Sequence, residues 1–217
     1  MALLTVACIK WGRKYAPDYV IKLRNMCARN VPEHQFVCFT DDPVDGVECR
    51  PLPSDLPTWW SKVGLFRPGT LEGPTLYLDL DVVITASLGG LVKLLDYDSS
   101  KLWALDDFGY PISNPRRGLS PDAQRILGGV GTVNSSVMLW QGDVATDVWT
   151  KFRPEKMDEV HGDQNWITQA LWPRINLIPK VWASSYKYGG WEGVIRVFHG
   201  EPKPHHVPDP FVQECWR

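Results

Sequence analysis

The chain has 217 residues, of which 23 are basic and 25 acidic, for a formal charge of −2, and 44% of it is hydrophobic. That length suits one α/β domain able to bury roughly 70% of its unfolded surface, and the apolar content excludes a disordered chain. The near-neutral balance, without a long run of either sign, excludes a dedicated nucleic-acid binder; no apolar run approaches the ~20 residues of a transmembrane segment.

The N-terminus, MALLTVACIKWGRK, has a short apolar stretch with no basic residue before it, so it reads as a first strand rather than a signal peptide. Leu4 to Ile9 and Gln35 to Phe39 read as strands. Between them Tyr15, Tyr19, Val20, Leu23, Met26 and Cys27 recur at helical spacing, with Pro17 in the first turn and a stop before Val31-Pro32. Strand, helix and strand in that order imply parallel pairing through a right-handed crossover. Asp41 to Pro57 is rich in Pro and Asp, a loop with one edge strand near Val47. Trp59 to Phe66 reads as a short helix, and Thr75 to Leu80, apolar on both faces, as a central parallel strand.

Ser87 to Leu95 is expected to be helical and Leu102 to Leu105 a strand, followed by a long irregular loop from Gly109 to Gly131. Ser135 to Trp140 is a further strand. A helix capped by Asp143 follows, presenting Val144, Val148, Trp149 and Phe152, and a second helix starts near Asp163. Ile175 to Ile178 and Ile195 to Phe198 are expected to finish the sheet, and the Pro- and His-rich stretch Glu201 to Pro210 to be irregular. The fold class is therefore α/β, a single domain with a mixed, mostly parallel central sheet flanked by helices. Five cysteines (Cys8, Cys27, Cys38, Cys49, Cys215), odd in number and without CxxC spacing, imply a reducing compartment with neither a disulfide frame nor a zinc site. The expected location is cytoplasmic. Eleven tryptophans are unusual; they serve either as core or as platforms for sugar rings.

The strongest local signal is YLDLDVVI, Tyr77 to Ile84. Alternation puts Asp79 and Asp81 on one face at the carboxyl end of a strand, where open α/β sheets bind ligands. Two like charges there need a cation, and paired hard oxygens suit Mn²⁺ or Mg²⁺ bridging phosphates. A solvated turn or a helix cap is the plain alternative.

With that motif the chain resembles the GT-A (Rossmann-like) fold glycosyltransferases, nearest to glycosyltransferase family 8, the family of glycogenin and the bacterial lipopolysaccharide galactosyltransferases. Four further segments match in order: Trp60-Ser61-Lys62-Val63, Val133-Asn134-Ser135-Ser136-Val137, Gly162-Asp163-Gln164-Asn165 and His199-Gly200-Glu201-Pro202-Lys203-Pro204. The resemblance spans nearly the whole chain. It implies a nucleotide-binding half over about 1–105 and a donor/acceptor half over about 106–217.

The resemblance also assigns roles. Asp79 and Asp81 hold the metal, with His199 as a third ligand. Lys203, following Gly200 at the family's spacing, neutralises the departing β-phosphate. Lys62 contacts the donor or pairs with an aspartate of the metal site. Asp163 lies beside the anomeric carbon, or simply caps its helix, and Gln164 hydrogen-bonds near the same place. Asn134, with Ser135 beside it, binds donor hydroxyls or satisfies a strand edge. Asp106 binds the sugar or caps a loop. Tyr15 stacks on uracil or packs in the core, and Asp41 is a ribose candidate. The sequence departs from the family in three places: His199 directly precedes Gly200 where two residues usually intervene, Ser136 replaces a glycine, and His205 replaces a tryptophan.

The implied activity is metal-dependent transfer of a sugar from a nucleotide diphosphate-sugar, a UDP-sugar above all, to the hydroxyl of a saccharide or other acceptor, with retention. The alternatives are an inverting GT-A transferase, a nucleotidyltransferase using the same Asp-x-Asp, and a non-catalytic sugar-nucleotide-binding relative.

Overall fold

The structure is a computed structural model, and it describes residues 2–109, 111–113, 131–189 and 193–217. Most of the loop expected between Gly109 and Gly131 lies outside the described residues. Strand β1 (Leu4–Lys10) leads through helix α1 (Pro17–Asn30) to β2 (His34–Thr40), the expected βαβ opening. β1 and β2 pair in parallel from Leu4↔His34 to Lys10↔Thr40. The edge strand β3 (Glu48–Arg50) and a 3₁₀ helix over Thr58–Phe66 follow. β4 (Pro74–Leu78) joins β1 in parallel. It stops at Leu78, so Asp79 and Asp81 fall in the connection to β5 (Val82–Ile84) rather than inside the strand.

The stretch expected as one helix over Ser87–Leu95 is two single turns, α2 (Gly89–Val92) and α3 (Leu94–Tyr97). β6 (Leu102–Asp106) and β7 (Val133–Gln141) are antiparallel to each other, and β7 is antiparallel to β4. α4 (Asp147–Thr150) has Thr146, not Asp143, at its N-cap, because turns occupy the residues between them. α5 (Lys156–Glu159) and α6 (Asp163–Leu171) lead to β8 (Ile175–Leu177), which pairs with β6 in parallel. The main sheet therefore runs β3-β2-β1-β4-β7-β6-β8, mostly parallel with β7 as the reversed member.

Ile195–Val197 does not finish this sheet. As β10 it forms a second, three-stranded sheet, antiparallel to β5 and parallel to β9 (Ala183–Ser185). The cause is local. After the Asp79–Asp81 connection the chain leaves the main sheet, and β5 needs a new hydrogen-bonding partner. The C-terminal stretch also carries more order than its prolines suggested: a 3₁₀ turn over Pro204–His206 and a helix α7 (Pro210–Cys215). Asp209 caps α7, accepting the Phe211 N–H at 2.9 Å, with Pro210 at the first helical position.

Two apolar layers enclose the sheet, and the period of two along β1 sorts residues between them. Val6 and Cys8 face α1 through Val20, Leu23 and Met26. Ala7 and Ile9 face the 3₁₀ helix and α6 through Trp60, Val63 and Ile167. All five cysteines are free. Among the described residues no helix is long and apolar enough to cross a membrane.

The 3₁₀ helix that carries Lys62 is seated by a close backbone approach. A Cβ added at Gly64 would lie 2.5 Å from the Pro53 carbonyl oxygen. Gly64→Ala is therefore expected to destabilise the fold by about 1–3 kcal/mol, the usual cost of overpacking. The check is a urea midpoint that falls with the slope unchanged; an unmoved midpoint would show that Pro53 yields freely.

Candidate functional site

The carboxyl ends of β1 and β4, the start of α6 and the C-terminal segment surround one cavity of about 610 Å³. On one wall Tyr77 donates from its hydroxyl to Asp79 Oδ1 at 2.7 Å, and Lys62 Nζ lies 3.1 Å from the same oxygen. Lys62 also pairs with Asp163 Oδ2 at 3.2 Å and donates to Ser135 Oγ at 3.0 Å. Ser135 in turn donates to Asp163 Oδ2 at 2.6 Å. Lys62 is thus the hub of a buried network, its side chain 7% exposed. Burial alone would push its ammonium down, but Asp163 and Asp79 beside it overcome this and hold it above the usual lysine range. Burial likewise acts to raise the Asp79 carboxyl, and Lys62 with hydrogen bonds from Tyr77 and Ser136 outweighs it, leaving that group below its ordinary value.

Asp81 is served by a second lysine–tyrosine pair. Lys203 Nζ donates to Asp81 Oδ2 at 2.6 Å, and the Tyr15 hydroxyl donates to the same atom at 2.8 Å. Burial, then the neighbouring Asp81 charge, raises the Tyr15 phenol far above its ordinary value, so it remains a proton donor throughout the physiological range. Lys203 reaches inward from a segment that turns at Gly200, whose φ of 70° lies in the left-handed region that glycine enters freely.

Nearly all the expected residues line this cavity: Tyr15, Lys62, Asp79, Asp81, Asn134 and Ser135 from one side, with Asp163, Gln164, His199, Gly200 and Lys203 from the other. The Asp163 side chain does not cap its helix. Gly162 holds the N-cap position of α6 without a side-chain bond, and the Asp163 carboxylate, one residue inside, turns to Lys62 and Ser135 instead. Asn134 supports backbone, its Oδ1 accepting the Ser136 N–H at 3.0 Å, while still facing the cavity.

Two of the expected residues lie outside this cavity. Asp41 is an exposed residue whose two carboxylate oxygens both accept the Gly12 N–H at 3.0 Å; it pins the turn after β1 and does not line the cavity. Asp106 accepts from the backbone and hydroxyl of Ser113 and also lies outside. Its neighbour Asp107 takes the place, accepting from Gln164 Nε2 at 3.1 Å. Asp106 ends β6 and Asp107 follows it directly, so by alternation the two side chains leave the strand in opposite directions, and Asp107 is the one that lines the cavity.

The donor chemistry of the Asp79–Asp81 pair fits a hard divalent cation: both carboxylates already hold ammonium cations, and Asp81 Oδ1 takes no hydrogen bond from a described residue. His199 is not gathered with them, for among the described residues no three His, Cys, Asp or Glu side chains are arranged to hold a metal ion. Its Nε2 hydrogen-bonds Ser185 Oγ at 2.6 Å, and its ring stacks on Phe108 at 5.4 Å. Ligation through Nδ1 requires the proton to stay on Nε2. Burial holds this imidazole below its ordinary value, which favours the neutral ring a metal needs.

The fold of this chain is shared with glycosyltransferases of known structure. It aligns with the galactosyltransferase LgtC, solved with donor and acceptor sugar analogues, at 15% identity over 94% of this chain and 90% of that one, with a TM-score of 0.66. Against the glycosyltransferase GlyE of Streptococcus pneumoniae the values are 15%, 94% and 0.63, and the chain spans 56% of GlyE. Against the bifunctional WbbM they are 13%, 93% and 0.61, and it spans 46% of WbbM. No family model matches the sequence and no curated protein does. The chain therefore has the GT-A fold, and at this identity the likeness is one of fold.

Proposed function

We propose that this protein is a metal-dependent glycosyltransferase that moves a sugar from a nucleotide diphosphate-sugar, in the first instance a UDP-sugar, to an acceptor hydroxyl with retention at the anomeric carbon. The observation that carries the reading is the pairing of Asp79 and Asp81 with Lys62 and Lys203 around one cavity, with Asp163 tied into the same network. Such an arrangement binds a polyanion through a cation and one spare lysine, and it brings a third carboxylate to the place where positive charge develops.

Asp79 and Asp81 would hold Mn²⁺ or Mg²⁺, and a cation bound there would neutralise charge on the diphosphate. Lys203 exchanges its bond to Asp81 for the β-phosphate and stabilises the leaving group as negative charge builds on it. Tyr15 keeps Asp81 oriented through that exchange by its own hydrogen bond. Lys62 and Ser135 hold Asp163 by Oδ2, leaving Oδ1 for the anomeric centre, either to attack it or to stabilise its positive charge. Gln164, fixed by Asp107, hydrogen-bonds the sugar beside it.

The deciding measurement is thermal stability against UDP, other nucleoside diphosphates and UDP-sugars, with and without Mn²⁺. A ligand at about a hundred times its Kd adds roughly 2.7 kcal/mol. Stabilisation by UDP or a UDP-sugar only when metal is present is the expected result, followed by NMR of the product's anomeric configuration. Stabilisation indifferent to metal would remove the Asp79–Asp81 role, and a product of inverted configuration would remove retention.

A further inference from the structure

The mouth of the cavity is flanked by two exposed aromatic rings, Trp59 at 43% and Tyr188 at 57% exposure. Two exposed aromatic rings lining one polar cavity offer flat apolar faces to a bound ligand. Each is also held in place. Trp59 follows Thr58, which has a φ of 56° and is the one non-glycine residue among those described with a positive φ. A β-branched residue is strained there, and such strain persists where the surroundings impose it, characteristically at binding sites. The Trp59 indole rests on Gly162, at the start of the Asp163 helix, where an added Cβ would lie 3.3 Å from its Nε1.

On the opposite side Tyr188 donates its backbone N–H to Ser185 Oγ at 3.1 Å, the same oxygen that hydrogen-bonds His199 Nε2. The Tyr188 and His199 rings lie 5.3 Å apart, so the platform is tied to the Gly200–Lys203 segment through Ser185. Neither ring contributes to the core of the sheet, and neither takes part in the diphosphate chemistry proposed above.

We propose that Trp59 and Tyr188 form the acceptor subsite, and that the acceptor is a pyranoside gripped by its C–H faces rather than a simple alcohol or a protein side chain. The assignment rests on the transferase reading for its name, while the binding itself is measurable without turnover. Apolar C–H faces of a pyranose match the π-faces of Trp and Tyr, and a ring stacked on Trp59, which lies against Gly162, is held next to Asp163 and Gln164 in the same cavity. Both are positioning residues, since neither touches the reacting atoms.

The test is NMR saturation transfer from the protein to methyl gluco- and galactopyranosides, titrated with UDP and Mn²⁺ present, in the wild type, Trp59→Ala, Tyr188→Ala and Trp59→Phe. The expected result is saturation of the ring C–H protons in the wild type and at least a tenfold weaker affinity in each alanine variant. Trp59→Phe should recover most of the loss, and the Kd for UDP should stay within twofold throughout. Alanine variants that bind the pyranosides like the wild type would overturn the assignment, as would a wild type that binds UDP and no pyranoside. A protein that binds pyranosides through these rings but shows no metal-dependent UDP binding would instead keep the subsite and overturn the transferase reading.

Discussion

Replacing Lys62 by methionine is expected to lower stability by about 3–5 kcal/mol, the cost of removing one partner from a buried ion pair. At this chain length that is roughly 6–20 °C in thermal midpoint. Methionine keeps the volume of the lysine stem, so the effect isolates the charge. Without Lys62, Asp163 Oδ2 keeps the Ser135 hydroxyl and Asp79 keeps its hydrogen bonds from Tyr77 and Ser136, with no cation beside either in this network. Asp79 keeps about a quarter of its side-chain exposure and regains some hydration, which places the expected loss toward the lower end. Combining Lys62→Met with Asp163→Asn removes one of the stranded charges and should restore part of the stability, in a double-mutant cycle with clear coupling. A single-variant shift under about 2 °C would show that the network is solvated and that Lys62 is not its hub.

Asp81→Asn is expected to abolish metal-dependent stabilisation by UDP and to reduce transfer by at least about 10²–10³, the range seen when one preorganised electrostatic group is lost from an active site. The amide oxygen can still accept from Tyr15 and Lys203, so folding should be preserved and the loss should fall on ligand binding. Calorimetric titration of UDP with and without Mn²⁺, on wild type and variant, separates the two. A variant that keeps the wild-type metal dependence would assign the cation elsewhere. The pair of experiments divides the cavity by function: Lys62 is expected to report mainly in stability, and Asp81 mainly in binding.

The opening βαβ unit and the placement of Asp79 and Asp81 at the carboxyl end of a central strand were legible because each is a local pattern, although the strand stops at Leu78, two residues short of the expected end. The residues brought to the cavity from the far end of the chain, Asp163, His199 and Lys203, were reached through ordered motifs rather than through periodicity. Where the reading went astray, a non-local choice decided. Of the consecutive Asp106 and Asp107 at the end of β6, Asp107 is the one that lines the cavity. Asp41 satisfies the Gly12 turn before it can serve a ligand. The second sheet exists because β5 must find partners among strands more than a hundred residues later, and short apolar runs carry no label saying which sheet they will join. The helix at Pro210–Cys215 was the one miss with a visible signal, Asp209-Pro210, an N-cap followed by a proline at the first position.

By itself, then, the sequence determined the α/β class, the order of the first elements and the acidic pair at a strand end, since all of these depend on residues within a few positions of one another. Only the tertiary structure decided which cations face those acids, which of two adjacent aspartates enters the cavity, and that Asp163 abandons the helix cap for Lys62 and Ser135. It also decided that Trp59 and Tyr188 line the cavity as exposed rings rather than packing in the core. The physical reason is common to all four. Pairing between residues distant in the chain is set by strand register and by competition for buried hydrogen bonds, and neither is encoded in any short window of sequence.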